Sequence, residues 1–290
     1  MNIIKEITSG YRCKTFVVEE EGKKFLYQEY SDSAYYQAKK KHQILEKIAN
    51  NYSCEFIPKS YKYFNLEDKS VLYTELKQGE SLSKIREEKN DFSISKIAKD
   101  FSETLYKIHS IKDSDCFGWI TDNGCIGKPN FYDYIMSEFQ RFEPTFKDKL
   151  SDQDYNYIME QERRVENYIK NILDLKPQLV WYDLNPENIL IKDNKLSSIV
   201  DPGGAKYAIK ELDLAFVKYE ICNNDKEFLN ILYEYKKLDK SVDGKLIDIL
   251  GILVELDDII LRLQDNIYIP IPYCSNFIDL INKIQKGNTL

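Results

Sequence analysis

The chain has 290 residues, 43% of them hydrophobic and 31% charged, with 22 Tyr, 14 Phe and a formal net charge of −7. That length and composition suit one large or two modest folded domains and exclude a disordered chain. The acidic balance argues against a nucleic-acid polymer or an anionic membrane as partner, and mildly for a cationic small molecule.

The opening MNIIKEITSG lacks the basic segment and apolar core of a signal peptide. No apolar run is long enough to span a bilayer, so a cytoplasmic protein with no membrane contact is expected. Cys13, Cys54, Cys116, Cys125, Cys222 and Cys274 are scattered with no C-x-x-C pair. Reduced thiols are therefore predicted, without a zinc site or a disulfide framework. With only His42 and His109, a His-centred triad or a multi-His metal site has little to draw on.

In chain order, residues 1–30 read as strands. An apolar stretch leads to Ser9-Gly10; then 14-KTFVV-18 and 24-KFLYQEY-30 flank a turn at 20-EEGK-23. Residues 33–50 carry Ala34, Ala38, Lys41, Ile44, Leu45, Ile48 and Ala49 near helical spacing, with Asp32 or Ser33 as cap. Two more strand-like runs, 61-YKYF-64 and 70-SVLYTEL-76, enclose 65-NLEDK-69. From Gly79 the pattern turns helical. Ile94, Ile97, Phe101, Leu105 and Ile108 form one stripe. Residues 151–175 form another helix, capped by Ser151 with Asp154 at the capping-box position and stopped by Pro177. The expected architecture is α+β, with a small β-rich lobe over 1–76 and a larger helical lobe over 77–290.

The chemistry is concentrated in 180-VWYDLNPENILI-191 and the following 192-KDNKLSSIVDPGG-204. Asp193-Asn194 is a turn dipeptide between two β-favouring runs, so the chain runs out from Asn188 and returns at Asp201. Asp183, Asn188 and Asp201 then converge at one end of the hairpin. Each alone is an ordinary turn or strand-end residue. Together they offer the oxygen donors that suit Mg²⁺ beside phosphate. Phosphoryl transfer needs such a set: a metal to neutralise the phosphates, here on Asn188 and Asp201, and a carboxylate, here Asp183, to orient the attacking hydroxyl and accept its proton.

These pieces resemble the aminoglycoside phosphotransferase and choline kinase-like superfamily, relatives of protein kinases. The matching segments are 181-WYDLNPEN-188, 201-DPGG-204 and 213-DLA-215, supported by 71-VLYTELKQGESL-82 and 105-LYKIHS-110. The resemblance spans most of residues 1–220. It implies a bilobal protein-kinase-like fold, ATP (or GTP) with Mg²⁺, and a small-molecule hydroxyl as acceptor. It further implies that Ser9-Gly10 forms the turn over the phosphates and that 72-LYTEL-76, through Glu75 and Leu76, holds the base; His109 is expected to be a buried helix-end residue rather than a catalyst.

Two departures stand out. Trp181 takes the place of the loop His, whose part in the family is to organise the loop. Gln28 takes the place of the strand Lys that holds the α- and β-phosphates. At the helix position where the family has Glu stands Lys41, so an exchange is expected in which Lys41 supplies the phosphate charge. For the acceptor, Asp248, Glu255, Asp258, Arg262 and Asp265 fall on one helical face, and Glu211, Asp213 and Glu220 follow the metal Asp. Such charges are usually solvated; as acceptor residues the candidates are Glu211, Glu220 and Asp258. The segment 117-FGWITDNGCIG-127 is also similar to fructosamine (ketosamine) kinases. A small-molecule kinase with an aminoglycoside as first acceptor is thus expected; the alternatives are a ketosamine, choline or other metabolite kinase, and a pseudokinase.

Overall fold

Two tight turns with left-handed backbone build the main hairpins of the computed structural model, which describes residues 2–7, 13–31, 34–67, 69–88, 92–121, 124–172 and 174–264. β1 (Asn2–Ile7), β2 (Cys13–Glu20), β3 (Lys23–Ser31), β4 (Ser60–Asn65) and β5 (Lys69–Glu75) form an antiparallel sheet in the order β1-β2-β3-β5-β4. Between β2 and β3, Glu21 (φ 51°) and Gly22 (φ 75°) make the two-residue turn whose twist matches the strands. Helix α1 (Tyr35–Asn51) packs on one face of this sheet, where Ala38 meets Tyr30 and Leu72, while its Ile44, Leu45 and Ile48 join the main core. The residues of its expected cap, Asp32 and Ser33, lie outside the described residues.

The chain then crosses to β6 (Glu80–Ser81), which joins β10 (Ile189–Lys192) and β11 (Lys195–Ile199). A third sheet has the order β8-β7-β12-β9, from β7 (Phe117–Thr121), β8 (Gly124–Lys128), β9 (Gln178–Val180) and β12 (Lys206–Ala208). The helices of this part are α2 (Leu82–Glu88), α3 (Ala98–His109), α4 (Phe131–Lys149), α5 (Asp152–Ile169), α6 (Lys210–Phe216), α7 (Asp225–Leu238) and α8 (Gly244–Gln264). The expected cap of α5 is present: Ser151 Oγ accepts from Asp154 N at 3.2 Å. α8 runs through the main core, with Leu246, Ile247, Leu250, Leu253, Val254 and Leu256 all buried. No helix among the described residues is long and apolar enough to cross a membrane.

Two expectations change here. Cys116 and Cys125 are joined, with Cα atoms 6.0 Å apart, because a bend at 115–116 folds the start of β7 over the β8 strand that carries Cys125. Of the acidic residues expected on one face of α8, Asp248 is not solvated. Asp248 is buried against Lys218 (2.5 Å) and the Tyr219 hydroxyl (3.1 Å), because the helix is packed on most sides.

Candidate active site

The hairpin places the three oxygen-bearing residues together. Asp193 (φ 52°) and Asn194 (φ 60°) make its turn, and Lys192 pairs with Lys195. At the other end Ile189 pairs with Ile199, and Val200 N donates to Asn188 O at 2.8 Å. Asp201 is the next residue. Its backbone is left-handed (φ 60°, ψ 76°), and its carboxylate accepts from Gly203 N at 3.1 Å.

The loop before the hairpin is held by its own side chains. Asn185 Oδ1 accepts from Asn188 N (3.1 Å), while Asn185 Nδ2 donates to Asp183 Oδ1 (2.7 Å). Asn188 Nδ2 donates to Asp183 O (3.0 Å), which leaves its Oδ1 for another partner. Pro186, with its fixed φ, opens the short 3₁₀ turn 186–188. Asp183 is half-buried. Burial first, and the Asp201 carboxylate second, raise its carboxyl above the ordinary aspartate range; Asn185 and Lys41 pull the other way. Gly204 presses on it so closely that a Cβ there would meet Asp183 Cβ at 2.6 Å.

Asp213, in the first turn of α6, fixes the start of the loop. Its carboxylate accepts from Trp181 N (2.7 Å) and Tyr182 N (2.8 Å), and His109 Nε2 lies at 2.9 Å. The expected burial of His109 at the end of α3 is seen, with Tyr235 Oη 2.6 Å from Nδ1. Trp181 is fully buried, and its Nε1 has no hydrogen-bond partner among the described residues. The aromatic ring thus supports the loop by packing, where a His would also bond.

Lys41 sits at the centre. Its Nζ lies 2.6 Å from Asp201 Oδ1, and the side chain is 7% exposed. Burial works against its charge, but Tyr30 and Asp201 outweigh it and hold the amine above the ordinary lysine range. Next to it Lys40 Nζ donates to Gly203 O at 2.8 Å. Gln28 lies on the sheet face covered by α1, paired with Leu72, with Nε2 3.8 Å from Cys13 Sγ. Glu75 anchors the chain's exit from the sheet, accepting from Lys59 N (3.2 Å) and pairing with Lys77 (3.1 Å); Leu76 follows, half-buried.

Ser9 and Gly10 are outside the described residues, as is the side chain of Asp258. Glu211 turns inward: it is buried, accepts from Asp243 N (3.2 Å) and faces Lys210, because the first turn of α6 packs against α8. Glu220 is half-buried in a π-helical turn, 217–221. Sequence reasoning missed the roles of Asp213, Lys40 and Tyr182. The Asp-Leu-Ala stretch was a signal for the first; the others have no local signature.

The donor set at Asp183, Asn188 and Asp201 is all oxygen, the choice of a hard cation. Gly203 leaves room that a Cβ would fill, 3.0 Å from both Asp201 Oδ1 and Lys41 Cε. The residues therefore fit a magnesium–phosphate group.

A loop carboxylate, a neighbouring Asn and Asp and a facing lysine thus make up the candidate site. The phosphotransferase enzyme family matches residues 3–236, and the chain belongs to that family of small-molecule phosphotransferases. The fold is similar to that of aminoglycoside phosphotransferase APH(4)-Ia, with a TM-score of 0.74 at 13% identity over 98% of this chain and 93% of that one. A thermostable mutant of that enzyme, in ternary complex with AMP-PNP and hygromycin B, gives a TM-score of 0.75 at 13% identity, with the same coverage of 98% and 93%. APH(2")-IIa in its streptomycin–ATP ternary complex gives 0.64 at 15% identity over 97% and 92% of the two chains. No curated protein matches by sequence.

Proposed function

We propose that the protein transfers the γ-phosphate of ATP, or of GTP, to a hydroxyl of a small cationic acceptor, with an aminoglycoside as the first candidate. The observation that carries this is the meeting of Asp183, Asn188, Asp201 and Lys41 at the mouth of one hairpin. Residues 1–76 form the nucleotide-binding lobe, with Ser9-Gly10 over the phosphates and backbone groups of Glu75 and Leu76 toward the base. Residues 77–290 carry the loop and the acceptor. When bound on Asn188 and Asp201, Mg²⁺ neutralises charge on the phosphates. Lys41, reaching in from α1, takes the phosphate-holding part that Gln28 lacks the charge to play. Asp183 accepts the proton of the acceptor hydroxyl as that oxygen bonds to the γ-phosphorus and the bond to the ADP oxygen breaks. Its raised pKa makes it a better base than a free aspartate.

A cationic acceptor is supported by the acidic net charge and by Asp257, which pairs with Arg141 and accepts from the hydroxyl of Tyr182, the neighbour of Asp183. Glu220 and Asp258 are further acceptor candidates; Glu211 is withdrawn as one by its burial. The crystallised relatives named above were complexed with hygromycin B or streptomycin, which supports starting there.

The test is ATP turnover by wild type and Asp183→Asn over a panel of aminoglycosides, ketosamines and choline. Asp183→Asn is expected to lose a factor of roughly 10² to 10⁴ in kcat. A loss well under tenfold removes Asp183 from its role. Trp181 and Gln28 favour a second reading, a nucleotide-binding pseudokinase. A thermal shift with ATP and Mg²⁺ but no phosphorylated product with any acceptor would establish it.

A further inference from the structure

Lys206 opens β12 with its side chain wholly withdrawn from solvent. Its Nζ makes no hydrogen bond among the described residues. It lies instead 3.2 Å from the ring centroid of Tyr182 and 4.0 Å from that of Trp119. Burying an amine without a hydrogen-bond acceptor is costly. A methionine of similar length would fill the space without that cost, so the charge itself needs an explanation.

Tyr182 supplies one. It immediately precedes Asp183, and its φ of 65° is left-handed, strained for an aromatic residue. Such a conformation persists only where the surroundings over-determine it. Here the ring is gripped on every side. Its hydroxyl donates to Asp257 at 2.8 Å, Phe216 meets it edge-on at 4.8 Å, Trp119 packs at 6.2 Å, and Lys206 stands over it. The previous residue, Trp181, brings packing but no side-chain hydrogen bond.

We propose that Lys206 is a positioning residue for phosphoryl transfer: its ammonium locks the Tyr182 ring by cation–π attraction and thereby fixes the backbone that aims Asp183. The idea rests on the kinase reading above for its kinetic consequence. It extends that reading by assigning loop organisation, lost with the absent histidine, to a residue on another strand. The attraction requires the charged form of the amine over the ring faces. The charged groups facing it are Glu138 and Arg141 from α4, Asp257 from α8 and Lys40 from α1. Burial lowers the amine to about 8, so it is mostly charged at neutral pH and discharges in mild alkali.

The experiment compares wild type, Lys206→Met and Lys206→Arg. Lys206→Met is expected to lose roughly 10- to 100-fold in kcat, the scale of a misplaced catalytic group, with the KM for ATP little changed. Lys206→Arg keeps a cation over the rings and is expected to retain most of kcat. The wild-type rate should fall more steeply above pH 8 than that of Lys206→Arg; Lys40, also near 8, is common to both and cancels in the comparison. Equal kcat in wild type and Lys206→Met overturns the proposal, as does an equal loss in Met and Arg variants. If Lys206→Met does not fold, Tyr182→Leu removes the ring that the amine grips; an unchanged kcat there overturns it as well. Amide exchange at Trp181 and Tyr182 reads the loop without any turnover. Faster exchange in Lys206→Met and not in Lys206→Arg supports the positioning role even if wild type phosphorylates nothing, in which case only the kinase reading falls. Unchanged exchange in both overturns the role itself.

Discussion

A charged amine sealed between two aromatic rings is a balance of opposed terms at the scale of one residue. Lowering Lys206 from the ordinary 10.5 to about 8 corresponds to roughly 3 kcal/mol of penalty on the charged form. Cation–π contacts in a desolvated setting return about 2 kcal/mol. The two nearly cancel, so Lys206→Met should leave Tm at pH 7 within a few degrees, a shift of about 1 kcal/mol. The sign of the pH dependence follows from linkage. Between pH 8 and 10.5 the unfolded chain holds a proton on Lys206 that the native state has given up, so the contribution of this residue to stability rises with pH. The difference in unfolding free energy between wild type and Lys206→Met, by urea titration at several pH values, should therefore move in favour of wild type from pH 8 upward. A flat difference would show that the ring faces keep the amine charged throughout that range.

Among elements, those with local signals were legible and those built by distant contacts were not. Glu21-Gly22 and Asp193-Asn194 carry their turn geometry in two residues, so both hairpins and the meeting of Asn188 with Asp201 follow from the sequence. The face of β3 bearing Gln28 follows from strand alternation. The Tyr182 cage draws on residues 119, 182, 206, 216 and 257, whose separations carry no periodic pattern. The same is true of Asp248, which periodicity placed on a wet stripe and which α6 and its π-helical extension bury. That extension makes a further demand on α8. A Cβ on Gly251 would meet Tyr219 Cε2 at 2.2 Å. Alanine in a helix interior is favoured over glycine by about 1 kcal/mol. Overpacking a full core costs about 1–3 kcal/mol, so the clash wins. Gly251→Ala should lower Tm by several degrees in a thermal melt. A raised Tm would mean that Tyr219 swings aside and gives up its hydrogen bond to Asp248 at little cost.

Across the whole molecule, one helix joins the β-rich part to the catalytic part. α1 packs on the first sheet, and three of its lysines reach beyond it: Lys40 to Gly203 O, Lys41 to Asp201, and Lys47 to Asp113 and the Tyr207 hydroxyl, both at 2.5 Å. Their worth differs with exposure. The Lys47 pair is 31% and 45% exposed and contributes under about 1 kcal/mol to stability. Lys41 is buried, but Asp201 is 39% exposed and can be hydrated once its partner is gone. Removing Lys41 should then cost far less than the roughly 3–5 kcal/mol typical of breaking a fully buried pair. On the proposed function its value lies elsewhere, in a positive charge offered to the nucleotide phosphates. Lys41→Met should melt within a few degrees of wild type yet bind ATP tenfold or more weakly, since a charge-assisted bond is worth about 1.5–3 kcal/mol. At ATP equal to 100 times the wild-type Kd, binding stabilises wild type by about 2.7 kcal/mol; a tenfold weaker variant gains only about 1.4. Calorimetric titration and ATP-dependent melting both read this gap. Adding Gln28→Lys to Lys41→Met should restore part of the affinity, because Gln28 lies on the sheet face that α1 covers. Unaltered ATP affinity in Lys41→Met would show that the charge serves Asp201 alone, and that the phosphates are held by other groups.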